Sequence, residues 1–335
     1  MSEPRPFHVG SPDLRKPLPE MREPVVDGLF RRGEVVNWIA SPKVGKTWML
    51  YTLLLAVCSG RQWIGRNTSK GRVLLIDNEL HPETGIQRLH KVATGVGADL
   101  GDIDANLSVA WLRGASASLE EIEATVREFP RGTFRLIALD AFYRLIPKGT
   151  DENANGDMTQ IYNHLDRIAA ISGASIINVH HASKGDQTGK ATTDVGAGAG
   201  SISRATDTHV VFLRHEEDGC VVMSAECRSF QRPAKVVLRV QPPSVTVETE
   251  LDPEALWSAK KHGKRERVWT VEEFVAMFID GSAGKVETID RAMSHGVAKN
   301  RARELLEDAI ALELVVAEVV QDGKKGRPRQ VLRRG

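Results

Sequence analysis

Residues 34–40 read EVVNWIA, residues 41–47 read SPKVGKT, and residues 48–59 read WMLYTLLLAVCS, closed by Gly60. The first stretch is a short apolar run of strand type, and the last has the length and glycine stop of a helix. Between them, Ala40-Ser41-Pro42-Lys43-Val44-Gly45-Lys46-Thr47 matches GxxxxGK[ST] at every position except the first, where alanine replaces glycine. The spacing has a chemical reason. Successive backbone N–H groups at a helix N-terminus wrap a β-phosphate, Lys46 reaches the β- and γ-phosphates, and the Thr47 hydroxyl ligates magnesium. Gly45 lets the backbone approach where a Cβ would intrude. A strand before the loop and a helix after it are the context this motif requires, so the sequence predicts ATP and Mg²⁺ as ligands of residues 41–47.

The pattern continues outward. RVLLID (72–77) is an apolar run of the kind buried on both faces of a sheet, with a helix beginning near Pro82. Apolar runs at 136–139 and 174–179 flank a helix over about 157–171. Strands alternating with helices imply an α/β fold with a mostly parallel sheet and right-handed crossovers. Past residue 207 the strands come closely spaced, at 208–213, 220–226, 235–240 and 244–249, as expected of antiparallel additions at a sheet edge.

Ligands in such sheets bind beyond the carboxyl ends of the strands, so the polar residues that end apolar runs are the site candidates. Asp140 is placed to hold magnesium opposite Thr47. Glu79 lies one strand along from the phosphate loop and suits the carboxylate that orients or deprotonates an attacking water; Asp77 competes for that role. His180, with His181 beside it, stands where a γ-phosphate could be sensed by hydrogen bonding and its loss passed to the next loop.

Composition narrows the class. The 335 residues carry 45 Lys+Arg and 44 Asp+Glu, which excludes a histone-like polycation. No apolar run reaches the ~18 residues of a membrane helix, and the opening MSEPRPFHVGSPDLRKPLPE lacks a signal-peptide core, so a soluble cytoplasmic chain without a membrane partner is expected. Three cysteines, Cys58, Cys220 and Cys227, support neither a disulfide framework nor a zinc ribbon. The near-neutral total is uneven: residues 256–335 hold 16 basic and 12 acidic residues, and the preceding 255 hold 29 and 32. We read residues 1–24 as an extended arm, 25–250 as the α/β core, 251–267 as a basic linker and 268–335 as a small domain. That domain is expected to have helices near 270–280, 285–294 and 298–313, then strands 314–320 and 329–333. Three helices and a two-stranded ribbon with a basic tip outline a winged helix-turn-helix.

With these pieces in place, the chain resembles a RecA-fold ATPase of the branch containing the hexameric plasmid replication helicase RepA and related phage and plasmid ATPases. The resemblance rests on VDGLFRRGEVVNWIASPKVGKT, VLLIDNE, LIALDAF, DENANGD, IINVHHASK and GAGAGSISRATDTHVVFL, spanning roughly 25–240. It implies Glu79 as catalytic base, Asp140 as magnesium carboxylate and His180 as γ-phosphate sensor. It also implies a homo-oligomeric ring, a hexamer in that family, in which a neighbour's arginine reaches the γ-phosphate; Arg204 and Arg228 are the candidates. The alanine at position 40 and the winged-helix-like tail depart from that family's pattern.

DNA is the expected partner at two places. Loops 148–157 and 182–200, the latter with Lys184 and Lys190, could line a ring channel and contact single-stranded backbone. In the tail, Lys299, Arg301 and Arg303 cluster at a helix start, and Lys324, Lys325, Arg327 and Arg329 at the ribbon tip, for duplex binding. The sequence thus predicts a DNA-directed ATPase of helicase or replication type. The alternatives are an ATP-switched DNA-binding regulator and, less well matched, a small-molecule P-loop kinase.

Overall fold

A computed structural model of the chain describes residues 12, 14–41, 43–115, 117–147, 150, 155–182, 192–195, 203–258, 269–281, 283–295, 297, 299–320 and 329–334. The chain divides into two compact units, residues 1–257 and 258–335.

In the first unit, β1 (Pro24–Val26) and β2 (Phe30–Arg31) precede β3 (Val35–Ala40), the phosphate-type loop and α1 (Lys46–Ser59). Then follow β4 (Arg72–Asp77), α2 (Pro82–Gly95), α3 (Leu100–Asn106), β5 (Leu107–Trp111), α4 (Leu119–Arg127) and β6 (Phe134–Asp140). The unit continues through α5 (Asn155–Ser172), β7 (Ser175–His181), β8 (Thr208–Arg214), β9 (Cys220–Cys227), β10 (Val236–Gln241) and β11 (Ser244–Glu248). A nine-stranded sheet takes the order β11-β10-β9-β8-β3-β7-β6-β4-β5. All pairings from β8 to β5 are parallel, and β9, β10 and β11 add antiparallel at one edge.

Two expectations need correction. β8, grouped by its spacing with the antiparallel strands, pairs parallel with β3. The connection before it is long enough for a crossover, whereas the short turn through Glu217, Asp218 and Gly219 allows β9 only to fold back. And β4, next in sequence after the phosphate-type loop, lies beyond β7 and β6 in the sheet.

Successive strand residues point to opposite faces. Val36, Trp38 and Ala40 of β3 join α1, α2 and α3 in one core, while Val35 joins α4 and α5 in the other. α1 is buried around most of its circumference because α2, α3, β4 and β11 all pack on it, which matches the apolar run from Leu53 to Cys58. Gly60 ends it in the left-handed conformation, with φ 69°. Residues 251–257, expected as the start of a linker, fold onto this unit. Leu251 and Leu256 pack on Cys220, Val222 and Val237, and the Trp257 N–H donates to the Arg214 carbonyl at 2.9 Å.

The second unit contains α6 (Val271–Phe278), α7 (Lys285–Ser294), α8 (Lys299–Ala311) and an antiparallel pair, β12 (Val315–Val320) and β13 (Arg329–Arg334). Phe274, Phe278, Ile289, Leu305, Leu306 and Leu332 are among its core residues. Thr270 and Glu273 form a capping box at the start of α6, and Arg334 donates to the Ile279 and Ala276 carbonyls at its end. Lys299, Arg301 and Arg303 are exposed on α8, with Arg301 3.1 Å from Glu304. Lys324, Lys325 and Arg327 lie outside the described residues, as does the Arg329 side chain.

Candidate functional site

The loop after β3 and the first turn of α1 open onto a cavity of about 660 Å³ lined by Ser41, Lys43, Val44, Gly45, Lys46 and Thr47. Pro42 lies outside the described residues. Gly45, at φ 85°, is the N-cap of α1; no side chain caps the helix and its first turn has no acidic residue. An uncapped helix start of this kind is suited to an anion. Across from the loop, Val240 closes on Gly45, where an added Cβ would lie 2.5 Å from Val240 Cγ1.

β6 ends beside this loop. Thr47 Oγ1 donates to Asp140 Oδ2 at 3.3 Å, and Lys46 Nζ is 3.9 Å from Asp140 Oδ1. Asp140 is buried, and its Oδ1 has no hydrogen-bond partner. Burial pushes this carboxyl up to about 6; Lys46 and the Thr47 hydrogen bond oppose that, while Glu79 and Asp77 add to it.

The structure separates the two acids at the end of β4. Asp77 Oδ1 accepts from the Glu79 and Leu80 N–H groups at 2.9 and 2.8 Å, and its Oδ2 accepts from the Tyr51 hydroxyl at 3.1 Å. It is a buried organiser of the turn, with its pKa raised mainly by burial. Glu79 lines the cavity. Its carbonyl accepts from Arg113 Nη1 at 2.7 Å. Asn78 binds the other side: Oδ1 accepts from the Ala141 N–H at 2.9 Å and Nδ2 donates to the Ala141 carbonyl at 3.1 Å. The ends of β4 and β6 are thereby tied together.

His180 is half-buried at the end of β7, its ring 4.8 Å from that of Phe142, and its Nε2 lies 3.1 Å from the Tyr162 hydroxyl. The His181 side chain lies outside the described residues. Arg204 and Arg228 stand at the opposite edge of the sheet from the phosphate-type loop, before β8 and after β9. Arg228 is engaged there, donating to the Arg204 carbonyl and lying 3.7 Å from Asp207 Oδ1, while Arg204 is exposed. Neither shares its own chain's cavity. Lys184, Lys190 and most of loops 148–157 and 182–200 lie outside the described residues.

Sequence reasoning missed several lining residues. Arg88, Arg214 and Trp257 reach the cavity from α2, β8 and the segment after β11, with Arg214 5.9 Å from the Trp257 ring and Arg88 5.3 Å from the Trp48 ring. No local motif marks them; only the mixed aromatic and basic character of Trp48 and Trp257 with their partners was available as a signal. Among the described residues, no group of three or more His, Cys, Asp and Glu could hold a metal by itself, and no helix is long and apolar enough to cross a membrane.

Comparison with known proteins agrees with this architecture. A family model described as an AAA domain, AAA_25, matches residues 3–187. No match was found among curated proteins. A solved structure described as an ATPase domain is similar with 17% identity and a TM-score of 0.49, covering 63% of this chain and 82% of that one. The RadB recombinase has 15% identity, a TM-score of 0.46 and coverages of 65% and 92%. A DnaB-like replicative helicase, in a structure reporting its interactions with primase, has 18% identity and a TM-score of 0.50, over 62% of this chain and 55% of that one. At this identity the last likeness concerns the fold. A parallel sheet with antiparallel edge strands, a GKT loop between β3 and α1, and a family match over more than half the chain lead to one assignment: the protein belongs to the AAA_25 family of AAA domains and has the RecA-type P-loop ATPase fold.

Proposed function

We propose that the chain is a Mg²⁺-dependent ATPase that works as a homo-oligomeric ring on DNA, as a helicase or replication factor of the RepA kind. The observation that carries this is the convergence of Lys46, Thr47, Asp140 and Glu79 on one edge of the sheet, three of them lining one cavity beside the buried Asp140. Asp140 Oδ1, which accepts no hydrogen bond and lies 3.9 Å from Lys46 Nζ, suits a hard cation, and Thr47 and Asp140 would hold magnesium together with phosphate oxygens and water. Bound there, the ion would neutralise charge on the phosphates.

The chain's own residues divide the remaining work. The α1 N-terminus and Lys46 bind and orient the phosphates, and Glu79 orients the attacking water and takes its proton. His180 reports the γ-phosphate. Arg204, exposed and remote from its own cavity, serves the neighbouring subunit, while Arg228 braces the Arg204 backbone. The wall formed by Trp257, Arg214, Val240 and Pro242 receives the base. The second unit, read as a winged helix, binds duplex DNA through Lys299, Arg301 and Arg303. Their exposure on α8 also favours the second reading, an ATP-switched DNA-binding regulator that does not unwind.

The test is ATP turnover of wild type, Glu79→Gln and Arg204→Ala with and without single-stranded DNA, alongside strand displacement. Wild type should be stimulated by DNA; Glu79→Gln should lose ~10²–10⁴ in turnover and still bind ATP. Arg204→Ala should lose ~10³–10⁵. Turnover indifferent to single-stranded DNA, with no displacement and a footprint on one duplex sequence, would select the regulator. Glu79→Gln turning over like wild type would end the catalytic assignment.

A further inference from the structure

The strands' carboxyl ends carry the candidate nucleotide site, and their amino ends carry a different chemistry. β3, β7, β6 and β4 are neighbours in that order and all parallel, so the segments leading into them meet along one edge of the sheet. Those segments bring Arg22 and Arg32 ahead of β3, Arg131 ahead of β6, Arg135 inside the start of β6, and Arg72 at the first position of β4. Arg22, Arg72 and Arg131 are exposed, and Arg32 and Arg135 are half-buried. Arg32 Nε donates to the Gly173 carbonyl at 3.2 Å and Arg131 Nε to the Ala170 carbonyl at 3.1 Å, at the C-terminal end of α5, which favours cations. Arg22 Nη1 donates to the Gly33 carbonyl at 3.0 Å. Among the described residues each of these guanidinium groups is fixed by a single N–H, which leaves the rest of its donor fork for another acceptor.

Carboxylates do not balance this row. Arg135 pairs with Glu23 at 2.6 Å, while Arg22, Arg32, Arg72 and Arg131 form no ion pair among the described residues. Of the other acids in the same segments, Glu34 is buried and accepts from the Arg31 N–H at 2.8 Å and from the Ser229 hydroxyl, and Glu128 is exposed. The crowding acts on Arg32, whose pKa is lowered by burial and by the charges of Arg135 and Arg131 against the pull of Glu23. Like charges held this close repel one another, and a polyanion relieves that repulsion. An aromatic ring stands in the same place. The connection from α4 to β6 that carries Arg131 also carries Phe129, 38% exposed, with its ring 5.0 Å from that of Phe134. Arg72 pairs in register with Phe134 and sets its Cζ 5.5 Å from the centre of that ring.

We infer that this amino edge is a binding track for single-stranded nucleic acid, with phosphates on Arg22, Arg32, Arg72, Arg131 and Arg135 and a base on the Phe129 ring. Guanidinium forks fit phosphate oxygens, and forks already fixed by a backbone carbonyl lose little freedom on binding. A ring beside such a row takes the face of an unpaired base, a contact that tolerates any sequence. An acidic peptide would use the charges and leave Phe129 without a role, and a duplex would keep its bases stacked on each other and away from the ring. The track lies at the opposite end of the strands from the phosphate-type loop and from the loops proposed for the ring channel, and it holds whether or not the chain hydrolyses ATP. Phosphates and bases are common to DNA and RNA, so both sugars belong in the test.

The experiment is photo-crosslinking of the full chain, without nucleotide, to pyrimidine oligomers of about 16 nucleotides that carry 5-iodouracil, in DNA and RNA forms, with the attached residue mapped by peptide mass. A crosslink at Phe129 is expected, and the sugar that gives it names the strand. Its yield, followed against oligomer and salt, reads this site apart from any other on the chain. Arg72→Gln and Arg131→Gln should each weaken binding at Phe129 and lower the slope of log affinity against log salt by about 0.7, the loss of one phosphate contact on a single strand. Both should keep the ATP turnover that wild type shows without DNA. Should Arg131→Gln fail to fold for want of its bond to Ala170, Arg72→Gln carries the comparison alone, since its side chain bonds no backbone group among the described residues. Crosslinks only at other residues, or a Phe129 yield and salt slope unchanged in both variants, overturn the track. So does polyglutamate that displaces the oligomer as well as unlabelled oligodeoxythymidylate of equal charge, which would mark an acidic protein partner, and so does an equal Phe129 yield from duplex.

Discussion

Gly45→Ala tests the phosphate-type loop at its tightest point. The backbone there has φ 85°, and an added methyl would sit 2.5 Å from Val240 Cγ1 on β10. Two costs add. Holding a residue with a Cβ in the left-handed region costs ~1–2 kcal/mol. Forcing a methyl against a packed valine costs ~1–3 kcal/mol more. Val240→Ala alone removes two methyl groups from a half-buried side chain, a loss of at most about 1.6 kcal/mol. In the double variant the overlap disappears, and only the backbone cost of an alanine in the Gly45 position and the lost Val240 burial remain. The cycle should therefore show a favourable coupling of ~1–3 kcal/mol, while the ~1–2 kcal/mol backbone cost persists. Calorimetry on the four proteins reads this as separate transitions, at about 2–4 °C per kcal/mol for a domain of this size. Additive effects would refute the Val240 contact as the constraint. A Gly45→Ala protein as stable as wild type would refute the left-handed geometry itself.

Other outcomes follow from single contacts. Because burial lowers the His209 pKa from 6.5 to about 4, the unfolded chain binds a proton that the folded one refuses between these values. His209 thus contributes up to ~3 kcal/mol that is fully present above pH 6.5 and lost as pH falls towards 4; denaturation curves across that range should flatten in His209→Gln. Asn78→Ala should destabilise the first unit by ~1–3 kcal/mol for each buried Ala141 group it orphans, read by the same calorimetry. Trp257→Ala should weaken ATP by about 3- to 10-fold and leave pyrophosphate unchanged in competition titrations; equal loss for both would remove Trp257 from the base wall.

Much of the site was legible because its chemistry is local. A strand, a GKT loop and a helix are consecutive in the chain, and Asp140, Glu79 and His180 each end an apolar run, so their place at the carboxyl edge followed from period and polarity alone. The helices of the second unit were legible for the same reason, through caps such as Thr270 with Glu273. By contrast α3, β5 and α4 left no clear trace: β5 is an edge strand only half-buried along its length, and α3 is only two turns long.

The choice between Asp77 and Glu79 could not be made from spacing, because it depends on Tyr51 lying beneath Asp77 and on the turn closing over its Oδ1. The order of the strands and the presence of Arg88, Arg214 and Trp257 at the cavity likewise depend on residues far apart in the chain. The phosphate-type loop, the α/β class and the strand-end polar groups are legible in the chain alone, since backbone preference and apolar period act over a few residues. Which of those groups share a cavity and which are taken up in holding a turn emerges with the folded sheet, since burial and hydrogen-bond partners are set by packing across it.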